Sequence, residues 1–431
     1  MRFRYSQNNG RLEKKAVVYS QNEHKIDCAG IDGDAALLCK RLQQAGYETY
    51  IVGGAVRDLL LGSKPKDFDI ATSARPQEIK RLIRNSRLIG RRFKLIHVFF
   101  PSKIIEVATF RSMADGTTGN TFGSIEDDVM RRDFTMNALF YDPVKELVID
   151  YVGGVEDINR KLLKPVIPLG VIFKDDPVRM IRAVKYCAIA NWDMPQALAA
   201  KIRANGALLA QISPSRLTEE ITKMIKSPAA ARIAQSLEEA GLYRYMQPAA
   251  SALIKKDAAF KNSYYKRFTE AHEKETAPEM SSLVFALVAD YVERETDWAQ
   301  NGAEDAAILF REIFAKARHF VLPMNPPRIE LERAIRQLFA EHGIALKKLR
   351  LGIFTRRRAG TAADKDGTAS GKGNDGSENA AEGLGTTAVE PAGTTAKGAP
   401  KGKKRRNSGS KKRGKARRKE PDFDMDDELD L

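Results

Sequence analysis

A short apolar run, Tyr50-Ile51-Val52, ends on two adjacent glycines, Gly53 and Gly54, and the pattern then turns helical from Ala55. After a brief spacer comes Asp67-Phe68-Asp69, at the head of a second strand-like stretch. A strand that breaks on glycines into a helix leaves backbone N–H groups unpaired at the positive helix end, where a phosphate is favoured. Alone, a Gly-Gly pair is more often only a tight turn. The acids sharpen the reading. Positions i and i+2 of a strand face the same way, so Asp67 and Asp69 should present two carboxylates on one side while Phe68 turns inward. An isolated Asp-x-Asp is usually an exposed edge or turn. Beside a phosphate-cradling turn it is a site for a hard divalent cation, magnesium or manganese, shared with substrate phosphates.

The surrounding sequence supplies a sheet for this unit. Leu37, Leu38 and Leu42, closed by Gly46, have the spacing of an amphipathic helix with a glycine stop. Tyr47 to Val52, Phe68 to Ala71, Leu95 to Phe100 and Ile104 to Phe110 read as strands. Strands mixed with helices over 34–150 predict an α+β head with one mixed sheet. Residues 1–33 are polar and aperiodic, an extension without a motif. Within the apolar stretch Ile104 to Ala108 stands Glu106, a charge that needs compensation. A metal shared with Asp67 and Asp69 would supply it; an ion pair with Arg111, or exposure on one sheet face, would also serve. His97 falls in an apolar strand and reads as a satisfied structural histidine.

Beyond Asp175 the periodicity becomes helical. Pro177 sits early in a pattern with Val178, Ile181, Val184 and Ala188, and the same period recurs at Arg216 to Ile225, Leu283 to Val292, Ile308 to Ala317 and Ile329 to Leu338. All-α regions are therefore expected over 151–225 and 226–355. From Arg356 the chain loses aromatic and branched residues, so burial cannot offset chain entropy and residues 356–431 should be disordered. That tail is basic from Lys401 to Lys419 and acidic from Glu420 to Asp430. The basic block can bind phosphates by counterion release, or it can serve only as a solvated tail. With 72 Lys and Arg against 56 Asp and Glu, the net charge of +16 points to a polyanionic partner, nucleic acid before others. Lys255, Lys256, Lys347 and Lys348 fit a phosphate-tracking groove or solvated helix faces. Cys28, Cys39 and Cys187, odd in number and far apart, support neither a disulfide framework nor a thiolate metal site. No secretion signal and no long apolar run is present, so a cytoplasmic protein with no membrane association is expected.

Five stretches occur in a characteristic order: YIVGGAVRDLLLGSKPKDFDIAT, IIEVATFR, RRDFTMNALFYD, DYVGGVEDI and DDPVRMIRAVKY. Together they resemble the blocks of class II nucleotidyltransferases, the bacterial poly(A) polymerases and CCA-adding enzymes, and the resemblance covers residues 34–225. Leu88 to Val98 (LIGRRFKLIHV) is similar to a block of the bacterial poly(A) polymerases, as is the basic tail. One departure stands out: Asp175-Asp176-Pro177 replaces the usual Glu-Asp-Pro, which puts in doubt any contact made by the first acid.

The resemblance implies template-independent addition of AMP from ATP to RNA 3′ ends with release of pyrophosphate, in mRNA processing and RNA turnover. It implies a catalytic head at 34–150, a neck at 151–225 that recognises the base, and an RNA-binding body at 226–355. Asp67, Asp69 and Glu106 would hold two Mg2+ (or Mn2+) ions, with ATP as substrate. Gly53 and Gly54 would lie against its phosphates, with Arg57 or Lys66 to neutralise charge. Arg132, Asp133 and Asn137 belong to a block lining the nucleotide pocket; Asp133 either accepts from ribose hydroxyls or caps a helix beginning at Phe134. Asp176, Arg179 and Arg182 would read the base edge, or else form a solvent-facing row of salt bridges. A monomer is expected, with RNA-turnover proteins as candidate partners. A CCA-adding enzyme and a non-catalytic RNA-binding protein are the alternatives.

Overall fold

Among the described residues nine strands form one sheet, ordered β1-β2-β9-β8-β3-β4-β7-β6-β5. The strands are β1 Arg2–Asn8, β2 Arg11–Tyr19, β3 Thr49–Val52, β4 Asp69–Thr72, β5 Ser86–Ile89, β6 Leu95–Phe99, β7 Ile104–Thr109, β8 Leu139–Asp142 and β9 Leu147–Asp150. The computed structural model describes residues 2–8, 11–90, 95–112, 114, 121–275, 277–298 and 306–346, without the side chains of residues 6–14. Among the described strands only β4 and β7 pair in parallel; the other pairs are antiparallel. The expected mixed sheet is therefore present, with more strands than the apolar pattern predicts.

β1, β2, β5, β8 and β9 are the additions, and three segments depart from the sequence reading. The polar N-terminal stretch, read as an extension, supplies β1 and β2: Val17 and Val18 pair with Asp150 and Ile149, and Ala16 is buried. The helix expected at Phe134 is a single 3₁₀ turn, Thr135–Asn137, before the fully buried β8. Asp67 lies in the loop before β4, which begins at Asp69.

Each face of the sheet has its own core. Ile51, Ile70, Ile96 and Val107 pack with Leu38, Cys39 and Leu42 of helix Gly33–Gln44 and with Ala55, Val56 and Leu59 of helix Gly54–Leu60. Asp32 starts the first of these helices by accepting from the backbone of Asp34 and Ala35 at 3.0 and 3.1 Å. On the opposite face Tyr50, Val52, Ala71, Phe110 and Phe140 meet Ile125 and Val129 of helix Ile125–Met130.

After Asp150 the described residues hold helices and no strand, and their apolar stripes join the first of the two cores. The expected helices are present: Val178–Ala190 behind Pro177, Pro214–Ile225, Met280–Glu295, Ala306–Phe320 and Arg328–Glu341. Among the described residues no helix is long and apolar enough to cross a membrane. The expected tail at 356–431, and Lys347 and Lys348, lie outside the described residues.

Candidate active site

One rung of the sheet carries the chemistry. Val52 of β3 is paired with Asp69 of β4, Asp69 with Glu106 of β7, Glu106 with His97 of β6 and His97 with Arg87 of β5. Laterally paired residues share a face, so Asp69 and Glu106 project where Val52 and Phe140 do, past the edge of that apolar core. Asp69 reaches solvent yet stands deep among protein atoms. Burial pushes its carboxyl up to about 6, with the charges of Glu106 and then Asp67 adding to the shift and Arg132 and Lys223 opposing it. Asp67, exposed in its loop, is thus within electrostatic reach of the other two acids, while Phe68 packs against the core as expected.

Glu106 needs no buried counter-charge. Ile105 and Val107 are buried and Glu106 faces outward, its side chain 48% exposed, with His97 Nε2 at 3.2 Å from its Oε1. Arg111, the partner considered from sequence, gives its backbone N–H to Asp128 Oδ1 at 3.3 Å. Among the described residues no three His, Cys, Asp or Glu side chains close into a metal cage. Magnesium does not ask for one, since it commonly binds through one or two carboxylates and completes its shell with water and substrate phosphates. Three mutually repelling acids beside a glycine turn fit that mode in charge and donor type.

The turn itself requires glycine. Gly53 has φ +69°, and a Cβ there would stand 3.5 Å from an Arg132 guanidinium nitrogen; one on Gly54 would stand equally close to Arg57. Two guanidinium groups therefore flank the turn. Arg57 is already committed: it donates to Asp58 Oδ1 at 2.9 and 2.7 Å and to Asn137 Oδ1 at 2.8 Å, and lies 5.2 Å from the Tyr186 ring centroid. It braces the turn against helix Val178–Ala190. Arg132 donates to Asp128 at 2.9 Å and to the Asn137 carbonyl at 3.0 Å, stacks over Phe140, and keeps its buried Nε without a partner. Lys66 is exposed in the loop before Asp67.

Asn137 ties these groups together, because its Nδ2 also donates to Asp133 Oδ1 at 3.1 Å. Asp133 Oδ1 accepts from the Phe134 backbone at 2.8 Å as well, and its Oδ2 lies 3.8 Å from Arg182. It is not a helix cap, since no α-helix begins there.

Asp176, Arg179 and Arg182 are not a solvent-facing row. Asp176, 6% exposed, accepts from one Arg216 nitrogen at both carboxylate oxygens, 2.9 and 2.8 Å away, and from Val178 N at 3.2 Å. Arg179 is buried and donates to the carbonyls of Ile172 and Arg131 at 3.3 and 3.4 Å; burial pulls its pKa down. Arg182 gives Nε–H to Glu220 at 3.1 Å, and although burial works against its charge, Glu220, Tyr186 and Asp133 together raise its pKa. Lys185 meets the other oxygen of Glu220 at 2.8 Å. Burial lowers the Lys185 pKa all the same, whereas Lys185 and Arg182 outweigh burial at Glu220 and hold its carboxyl low. Arg216 and Glu220, four apart on helix Pro214–Ile225, thus back the row from behind, a role that sequence reasoning missed. Their i, i+4 spacing puts them on one face of that helix but names neither partner. The dispersed lysines are less informative: Lys256 is exposed and Lys255 pairs with Glu238 at 3.3 Å.

A family model described as the poly A polymerase head domain matches residues 49–164, and one described as a probable RNA and SrmB-binding site of polymerase A matches residues 193–254. Poly(A) polymerase I of Salmonella typhimurium is 36% identical over 324 residues, covering 71% of this chain and 70% of that protein. A CCA-adding enzyme of Geobacillus kaustophilus is 37% identical over 232 residues, 52% of this chain and 57% of its own. A solved CCA-adding enzyme in complex with ATP shares the fold, with a TM-score of 0.50 at 18% identity over 76% of this chain and 85% of that one. The chain belongs to the nucleotidyltransferase family that comprises the poly(A) polymerases and the CCA-adding enzymes.

Proposed function

We propose that this protein is a template-independent poly(A) polymerase that extends RNA 3′ ends with AMP from ATP. The observation that carries the reading is the pairing of Asp69 and Glu106 on one rung, within the field of Asp67 and beside the Gly53 turn. Divalent ions held by Asp67 and Asp69 with Glu106 would activate the RNA 3′ hydroxyl and grip the triphosphate. The chain's own groups do the rest by position and charge, as phosphoryl transfer requires. The Gly53 turn admits the phosphates, with the Arg132 guanidinium beside it. Asp133, steered by Asn137, has its second oxygen directed toward Arg182 rather than a helix backbone, which favours a nucleotide contact over a capping role. Arg179 and Asp176 present a donor and an acceptor that their neighbours hold in place, and a fixed donor–acceptor pattern is what selection of one base without a template needs.

In this reading residues 34–150 perform the chemistry, 151–225 select the base and 226–355 track the RNA, and the protein works as a cytoplasmic monomer in mRNA processing and RNA turnover. The preference for ATP over the CTP-then-ATP sequence of a CCA-adding enzyme is supported by the longer match to poly(A) polymerase I. The block Leu88 to Val98 points the same way, although residues 91–94 lie outside the described ones. Incubation of a short non-tRNA primer with each nucleoside triphosphate separately tests the proposal. Long extension with ATP alone is expected; addition of CTP to tRNA ends, halting after a few nucleotides, would replace it with the CCA-adding activity.

A further inference from the structure

The rung that bears Asp69 and Glu106 does not end at the acids. It continues to His97, whose Nε2 stands 3.2 Å from Glu106 Oε1; the imidazole is 22% exposed and Glu106 48%. Phe99, two residues along β6, meets the imidazole edge-on with ring centroids 6.5 Å apart. One neighbour therefore confines the ring and the ring confines the acid. A glutamate on an exposed sheet face otherwise samples several rotamers, and freezing it onto a cation costs that freedom.

We infer that His97 is a positioning residue for Glu106: by engaging one carboxylate oxygen it fixes where the other lies relative to Asp69. The inference rests on the metal reading of Asp67, Asp69 and Glu106 given above. It needs no change of charge on the imidazole, because a neutral ring with its hydrogen on Nε2, already 3.2 Å from Oε1, can turn that N–H onto the carboxylate. Hydrogen-bonded partners behind metal-binding carboxylates typically change metal affinity by about 10–100-fold when removed, and His97 is placed to be such a partner. It touches neither the glycine turn nor the Asp176 row, so its effect should fall on the metal and not on nucleotide choice.

The test uses the full chain, with Mn2+ as the probe and free Mn2+ followed by electron paramagnetic resonance, with and without a non-hydrolysable ATP analogue. His97→Ala should bind Mn2+ about 10–100-fold more weakly than the parent, with an unchanged melting midpoint in chelator. His97→Gln, whose amide can donate at similar reach, should recover most of that affinity. In turnover, the His97→Ala defect should be overcome by raising magnesium, with the KM for ATP unmoved at saturating metal. Parental Mn2+ affinity in His97→Ala, together with weakened binding in Glu106→Ala, would overturn the role of His97 while leaving the metal site intact. Parental affinity in Glu106→Ala, with loss in Asp69→Ala, would remove Glu106 from the metal site and the inference with it. Parental affinity in all three variants would instead defeat the metal reading itself.

Discussion

Replacing Glu220 by glutamine keeps its shape and removes one buried negative charge. Glu220 is 2% exposed, with Lys185 at 2.8 Å, Arg182 at 3.1 Å and Lys223 at 3.9 Å, so it is the counter-charge for a cationic layer between two helices. Removing one partner of a buried ion pair costs about 3–5 kcal/mol, because the other charge is stranded. Here the lower end, about 3 kcal/mol, is expected, since Arg182 is 30% exposed and keeps Asp133 at 3.8 Å. The stranded group is Lys185, whose pKa burial already lowers in the parent and should lower further in the variant. A lysine with a depressed folded pKa binds its proton less tightly than in the unfolded chain, where the value is about 10.4. The unfolded state then holds more protons between the two values, and stability rises with pH across that window. Urea denaturation should therefore show a Glu220→Gln deficit that is greatest at neutral pH and shrinks at alkaline pH, and adding Lys185→Met should recover much of it. A variant as stable as the parent, or a deficit that grows as pH rises, would refute the reasoning.

Arg216→Ala should leave the buried Asp176 carboxylate held only by the Val178 N–H and raise the KM for ATP about tenfold, the kinetic equivalent of about 1.4 kcal/mol, roughly one charge-assisted hydrogen bond; steady-state kinetics with ATP and CTP would also show weaker discrimination between them. Protons should compete with metal at Asp69, so Mn2+ affinity by calorimetry should fall as pH drops through about 6, with a proton released on binding below that point. Asp69→Asn should abolish turnover yet raise the melting temperature of the metal-free protein above neutral pH, because the ionised form of a carboxyl with a raised pKa weakens the fold. Deleting residues 356–431 should lower RNA affinity and flatten its salt dependence by about 0.7 in log–log slope per lost phosphate contact on single strands, with turnover at saturating RNA retained; an unchanged slope would remove the tail from RNA binding.

The parts of the molecule legible in the sequence were those governed by local rules. β3, β4, β6 and β7 could be read because their burial alternates or runs unbroken between turn residues, and the long helices because their stripes repeat. β1 and β2 were hidden by charge: β1 is an edge strand carrying Arg2 and Arg4, its neighbour β2 begins Arg11-Leu12-Glu13-Lys14-Lys15, and so the pattern of a buried strand is absent, although the Asn9-Gly10 dipeptide is a hairpin signal. The Thr135–Asn137 turn and β8 were misread because the apolar run of the block fits either period over so short a span.

Among the site residues, Asp67, Asp69 and the glycines announced themselves by spacing, and Glu106 by being a charge in an apolar strand. The partners could not be read in the same way. Arg216 lies 40 residues from Asp176, Glu220 lies 38 from Arg182, and no local pattern pairs them. The contact between His97 and Glu106 depends on the register of β6 against β7, which a sequence leaves open. Arg57 stands next to the glycine turn as its spacing suggests, but its pairing with Asp58, one residue away, is not written in that spacing.

Crystals soaked with Mn2+ and a non-hydrolysable ATP analogue would locate the metal directly, through the anomalous difference map at the manganese edge. The peak should fall between the carboxylates of Asp67 and Asp69, on the side of the sheet that Glu106 faces, with the triphosphate running toward Gly53. A metal bound elsewhere with the nucleotide in place, or a nucleotide seated away from those acids, would contradict the account.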